Sequence, residues 1–209
     1  MTGLKLTIKC FLVYALLPVA GYKFGLSAKH LWQDPSEYLY FGLSIPLCYY
    51  LMVHFGGSRL RFMQTFTHEL IHSIFSLLSL KRVYEFHVNE ETGHIITDCK
   101  HMTMQLAPYF FPLYTIILMA IRPGIVPAYY PLFDIVAGCT FAFYLNMIIR
   151  DTGIWQTDIK TIDWRLSYPY TVLMVFLCSY LVIESIHTNL WSAILQLFTF
   201  AGDLIISRF

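Results

Sequence analysis

Residues 60–80 read LRFMQTFTHELIHSIFSLLSL, a stretch resembling a membrane helix that contains the pattern His-Glu-x-x-His. On a helix, side chains four residues apart lie on one face, so the imidazoles of His68 and His72 can bind one metal ion. Glu69 is turned by about 100°, where it can reach a metal-bound water without being a ligand. Charged groups at the centre of a membrane helix cost on the order of 2.5–3.5 kcal/mol each, so their presence favours a zinc site over a chance pattern.

The composition indicates a protein built into a lipid bilayer. The chain is 57% hydrophobic and 13% charged, whereas soluble domains carry about 25% charged residues. A net charge of +1 and the absence of a long basic run argue against nucleic acid as a partner. The five cysteines are scattered without a CxxC pair, so we expect buried thiols rather than a disulfide framework or a thiolate zinc site.

The order of apolar stretches predicts an all-α polytopic membrane protein with about six to seven transmembrane helices in a single integral membrane domain, residues 1–209. The predicted spans cover residues 10–22, 38–54, 60–80, 102–121, 129–149 and 168–186. The first could instead belong to a cleaved signal peptide, although Pro18-Val19-Ala20-Gly21 is a poor cleavage site. Pro108 and Pro112 predict a kink in the fourth span. Residues 190–208 carry a polar stripe and predict an amphipathic or spanning helix.

Residues 83–98 form the one stretch with a clearly non-helical pattern. Apolar and polar side chains alternate from Tyr84 to Val88, and Glu90-Glu91-Thr92-Gly93 supplies turn residues. We predict a β-hairpin at the membrane surface or dipping into the membrane. Such a hairpin can hold an extended peptide by strand addition, or it can simply cap the zinc cavity.

A catalytic zinc site needs a third protein ligand and one open position. The hairpin glutamates are near in sequence, whereas Glu184 is expected near the opposite membrane surface. The predicted topology returns the polar connection of residues 150–165 to the hairpin side, within reach of the two histidines. Spacing alone does not separate the carboxylates of this connection, which are Asp151, Asp158 and Asp163.

Four short segments occur in a suggestive order between residues 60 and 160. They are His68-Glu69-Leu70-Ile71-His72, Gly93-His94-Ile95, Gln105-Leu106-Ala107-Pro108-Tyr109-Phe110 and Gln156-Thr157-Asp158-Ile159. In this order they resemble the site-2 protease family of intramembrane zinc metallopeptidases, most closely its compact bacterial members. The first segment is fairly specific, and the other three add weight through their order.

The resemblance implies a zinc metalloendopeptidase with one Zn²⁺ per chain, acting on transmembrane protein substrates in a bacterial cytoplasmic (inner) membrane. The family's third ligand is an aspartate on a later span, which corresponds to Asp158; Ile159 stands where the family often has glycine, and Asp151 is the alternative. Glu69 would accept a proton from the zinc-activated water as that water attacks a peptide carbonyl, and would then protonate the leaving amine.

Two polar residues are further candidates for binding substrate. His94 could bond the substrate or orient a ligand, although most surface histidines do neither. Asn146, within the fifth span, could polarise the substrate carbonyl or only bond a neighbouring helix. We expect no functional role for His87 and His101.

Two other functions fit parts of the pattern. A non-proteolytic membrane zinc-binding protein would not need Glu69. An ion transporter would use polar groups such as Asp134, Asp203 and the C-terminal stripe. Assigning loops to the two membrane sides places nine Lys and Arg residues with the hairpin and five opposite, which predicts that the zinc site opens toward the cytoplasm.

Overall fold

The computed structural model describes residues 3–33, 35–89, 92–153 and 156–206, and these are mostly helical. The helices are α1 (Gly3–Gln33), α2 (Pro35–Phe55), α3 (Gly57–Leu78), α4 (Met102–Leu106), α5 (Leu113–Ile121), α6 (Tyr130–Asp151), α7 (Thr157–Ile162), α8 (Trp164–His187) and α9 (Leu190–Ile206). Between α3 and α4 lie two strands, β1 (Val83–Val88) and β2 (Gly93–Thr97). Short 3₁₀ turns occur at Ala107–Tyr109, Arg122–Gly124 and Pro127–Tyr129.

Four helices in the described ranges are long and apolar enough to cross a membrane, and a bent pair would make a fifth. The four are Leu6–His30, Ser36–Phe55, Pro127–Asp151 and Trp164–His187. The predicted count of six to seven spans is therefore not confirmed. Helix α3 is not among the four, because its imidazoles, hydroxyls and Glu69 lower its hydropathy. The apolar part of α9 is short, Leu190–Thr199, and residues 207–208 of the predicted terminal helix lie outside the described part.

The predicted kink is confirmed as a sharp break. Met102–Tyr109 and Leu113–Gly124 meet at 85° around the segment that contains Pro108 and Pro112. Proline removes a backbone donor and clashes with the preceding helical turn, so one continuous helix is unfavourable there. The break leaves α4 beside α3, where it contributes to the site described below.

The bundle is held by two long helix pairs, in which α2 packs along α6 and α1 packs along α8. A Cβ atom at Gly138 of α6 would lie 2.5 Å from the carbonyl oxygen of Phe41, so only glycine permits this approach of α2. A Cys48–Cys139 disulfide joins the same two helices. The expectation of unpaired thiols is thus wrong for this pair, because the helices bring together two cysteines that are 91 residues apart in sequence.

The predicted hairpin is confirmed, with β1 and β2 antiparallel and His87 opposite His94. It folds back along α3, and the ring of Phe86 packs edge-on against Phe66 at 5.7 Å between centroids. At the turn, the Asn89 amide donates to the Thr92 carbonyl at 2.8 Å. The predicted turn residues Glu90 and Glu91 lie outside the described part of the chain.

Candidate metal centre

Three side chains from two helices converge on one point. His68 and His72 lie on one face of α3, and Asp158 lies in the first turn of α7. Their ligand atoms all lie within 4.8 Å of one another. One Asp158 carboxylate oxygen (Oδ2) lies 3.7 Å from His68 Nε2 and 3.4 Å from His72 Nε2. The structure therefore brings together the two histidines of the sequence pattern and, among the three aspartates left open by spacing, Asp158.

These separations match the spacing of ligands around a shared ion. Two ligand atoms about 2.0–2.1 Å from a tetrahedral centre lie about 3.3–3.4 Å apart. The two Asp158 contacts are longer than an ordinary N–H···O hydrogen bond, which is about 2.9–3.0 Å. Two imidazoles and a carboxylate are also a donor set that suits Zn²⁺. The group could therefore hold a metal ion.

Both histidines are oriented through their other ring nitrogen. His72 Nδ1 donates to the carbonyl oxygen of Met104 in α4 at 2.9 Å. His68 Nδ1 faces a carboxylate oxygen of Asp151, the last residue of α6, at 3.6 Å. A partner on Nδ1 fixes the tautomer and leaves the Nε2 lone pair for a metal. Both Nε2 atoms point toward Asp158. The contacts of the two Nδ1 atoms, with Met104 and Asp151, therefore fix the orientation of the imidazole rings.

Tyr109 contacts the Asp158 carboxylate. Its hydroxyl donates to Asp158 Oδ2 at 3.1 Å, and its ring packs edge-on against His68. Tyr109 is fully buried, because the break after α4 turns it inward. Burial alone would raise the pKa of the Asp158 carboxyl, but its contacts with His68 and His72 hold that pKa well below its ordinary value. Asp158 is therefore a carboxylate at neutral pH.

Asp151, which faces His68, is itself held by neighbouring polar side chains. Arg150 holds it with two hydrogen bonds, Nε to Oδ1 at 2.6 Å and Nη2 to Oδ2 at 3.0 Å. The same guanidinium donates to the side-chain oxygen of Gln64 at 2.5 Å, and Gln64 donates to Asn146 at 2.5 Å. Asn146 thus bonds a neighbouring helix, which is the second of its two predicted roles. Because Asp151 also faces His68, this series of contacts connects Asn146 to His68.

Glu69 is buried beside the hairpin. A Cβ atom at Gly93 would lie 2.7 Å from Glu69 Cγ and 2.9 Å from its Oε1. One open cavity of about 490 Å³ is lined by Glu69 and His68, and a second of about 310 Å³ is lined by His72 and Asp158. Strand β2 borders both, with Gly93 at the first and residues 95–97 at the second.

The remaining candidates lie elsewhere. His94 is exposed, its Nε2 lies 3.1 Å from a carboxylate oxygen of Glu85, and it lines neither of these two cavities. Asp163 caps the start of α8 by accepting from the Arg165 amide at 2.9 Å. Glu184 accepts from Ser27 of α1 at 2.8 Å. None of these three residues belongs to the described metal-ligand group.

Asp134, a residue cited for the transporter alternative, is a structural ion-pair partner. Arg122 binds its two carboxylate oxygens at 2.9 and 3.1 Å and also donates to the Ile186 carbonyl at 2.8 Å. Both charged side chains are buried, so each compensates the other. The side chain of Asp203 lies outside the described part.

Sequence reasoning missed Gln64, Arg150 and the carbonyl of Met104. Gln64 lies one helical turn before His68, so its place on the ligand face was readable from spacing. The Met104 contact is made by the main-chain carbonyl oxygen, so the identity of residue 104 does not predict it. Comparison of the chain with protein-family models, curated proteins and solved structures finds no match.

Proposed function

We propose that this protein is an intramembrane zinc metalloprotease of the site-2 protease type, which hydrolyses peptide bonds of membrane-embedded substrates. One observation carries the proposal: both Nε2 atoms of a His-Glu-x-x-His helix face a single carboxylate, while both Nδ1 atoms are engaged from outside. A helix whose two histidines have no common function is not expected to meet all these conditions. The intact Glu69 beside them favours hydrolysis over metal storage.

In this proposal His68, His72 and Asp158 hold one Zn²⁺. When bound, zinc would acidify a water molecule and polarise the peptide carbonyl. Glu69 accepts the proton of the attacking water and passes it to the leaving amine, so one carboxylate serves as base and then as acid. Gly93 fixes where the Glu69 carboxylate lies. Asp151 and Met104 orient the histidines and take no proton.

The surroundings suggest how a substrate reaches the site. Strand β2 borders both cavities, which are lined by different members of the ligand group, and its outer edge can pair with an extended peptide. A transmembrane segment would have to unwind locally to pair in this way. We further propose that α3 lies within the bilayer with the four or five apolar spans, in a bacterial cytoplasmic membrane.

The first test is zinc content in detergent-purified protein. We expect about one zinc per chain in the wild type and in Glu69→Gln, and none in His68→Ala. His54→Ala is the matched control, because His54 is exposed on α2 and bonds only its own helix. A wild type that stays zinc-free under metal supply while folded would refute the metal site.

The second test is proteolysis in proteoliposomes with peptides that contain one apolar segment. The wild type should cleave, and Glu69→Gln should retain zinc while losing cleavage on the order of 10²–10⁴-fold. Zinc binding without Glu69-dependent cleavage would contradict the protease and favour a non-proteolytic zinc-binding protein.

A further inference from the structure

The cavity beside Glu69 has a charge pattern that bears on substrate choice. We infer that it selects substrates carrying an acidic side chain about three or four residues from the scissile bond, with Arg61 as the partner of that side chain. The inference rests on the proposed protease function. It names a class of substrate within that function.

The spacing follows from helix geometry. Arg61, Thr65 and Glu69 all line the cavity, and each lies one turn of α3 from the next. Eight residues of helix place Arg61 about 12 Å along the axis from Glu69. An extended peptide advances about 3.3 Å per residue, so a side chain three or four positions from the reacting carbonyl reaches Arg61.

Arg61 is the free cation of this cavity within the described residues. The other guanidinium in the lining, Arg150, is already committed to Asp151 and Gln64. Arg61 is exposed and makes no ion pair with any side chain in the described ranges. Within the described residues its one hydrogen bond outside the helix ladder uses its carbonyl, which accepts from the Thr65 hydroxyl at 3.0 Å, so the guanidinium retains its five N–H donors.

The carboxylates of the lining do not cancel this attraction. Asp151 is neutralised by the two-point contact with Arg150. Glu69 lies about 12 Å away along the helix, beyond the roughly 8 Å over which exposed charges interact at physiological salt. An acidic substrate residue at Arg61 would therefore meet attraction at short range and little repulsion.

The second cavity differs in character. Its walls combine apolar residues, among them Ile95 and Ile96, with the polar side chains of Gln105 and Asp158, and no cation other than an imidazole lines it among the described residues. A peptide lying along β2 would then meet the Arg61 guanidinium on one side of the cut only.

The test compares peptides that differ at one position. Each contains the same apolar segment, with Glu, Gln or Lys placed three or four residues from the cut on either side. We expect wild type to cleave the best-placed Glu peptide about two- to fivefold more efficiently, in kcat/KM, than its Gln counterpart. Arg61→Gln should abolish the preference, and Arg61→Glu should transfer it to the Lys peptide.

Arg59→Gln is the matched control. Arg59 is also exposed on α3, but it is two residues away, faces another direction and does not line the cavity. Equal cleavage of Glu and Gln peptides by wild type, or a preference that survives Arg61→Gln, would overturn the inference while leaving the protease intact. If no peptide were cleaved in a Glu69-dependent manner, the proposed function itself would fail.

Discussion

Gly93 lies against Glu69 so closely that a single added carbon at residue 93 would come within 2.7 Å of Glu69 Cγ. Real side chains do not approach to that distance, so either β2 or the Glu69 carboxylate would have to move. The hairpin is therefore part of the site. It fixes the position of the group proposed to move the proton.

Gly93→Ala should impair hydrolysis with little effect on folding. A displacement of about 1 Å in a catalytic group can lower the rate about 10²-fold, and we expect a loss of that order in kcat. Zinc content should stay at the wild-type level. Gly42→Ala is the control, since a Cβ there meets nothing within 4 Å. Unchanged kcat in Gly93→Ala would show that Glu69 does not need its present position.

Asp158→Asn and Asp151→Asn should separate a ligand from an orienting group. Asp158→Asn should lose zinc, because the carboxylate facing both Nε2 atoms becomes a weak amide ligand. Asp151→Asn should keep about one zinc per chain with affinity about 10–100-fold lower, as when the outer partner of a histidine ligand is altered. Zinc titration against a competing chelator measures both. The reverse pattern would make Asp151 the ligand.

Gln64 and Asn146 should be energetically coupled. Gln64→Met leaves the polar groups of Asn146 and Arg150 without their present partner, which should lower the free energy of unfolding by about 1–3 kcal/mol. Asn146→Leu alone should have a similar effect. In the double variant the losses should be less than additive in a denaturation series in detergent. Strict additivity would mean that the contact between them contributes nothing.

Asp134→Asn should lower stability without touching the metal site. It leaves the buried Arg122 guanidinium without its anionic partner, and breaking a buried pair costs about 3–5 kcal/mol. Arg122→Met combined with Asp134→Leu should restore much of the loss, because neither charge then remains. Thermal unfolding and zinc content would be measured together. A transporter in which Asp134 lines an ion path would instead lose ion flux while keeping its stability.

Much of the architecture was predictable from local patterns. Alternation around Phe86 identified the hairpin, the two prolines located the break, and the four-residue spacing placed His68 and His72 on one face. The predicted count of six to seven spans is not confirmed, because α3 carries the polar groups of the site and is less apolar than its neighbours. A local sequence pattern shows the length of an apolar stretch more clearly than it shows the polar face that interrupts that stretch.

Long-range contacts were not predictable from the residues alone. Spacing left three aspartates equivalent, and only the resemblance singled out Asp158 before the structure brought it to the histidines. The role of Asp151 depends on where α6 ends relative to α3. The Cys48–Cys139 pair likewise depends on how α2 and α6 face each other. Such relationships arise from packing between segments far apart in sequence.

The Met104 carbonyl that anchors His72 has a consequence for how this site can evolve. Every residue type has the same main-chain oxygen, so selection at position 104 acts on how the side chain packs and leaves the contact untouched. Because Met104 is buried, apolar residues of similar size are the substitutions that preserve the packing, and these would leave the contact with His72 intact. One of the two contacts that orient the histidines of the candidate metal site thus depends on the path of the backbone. Distant relatives could keep this main-chain contact after the surrounding residues have diverged in sequence.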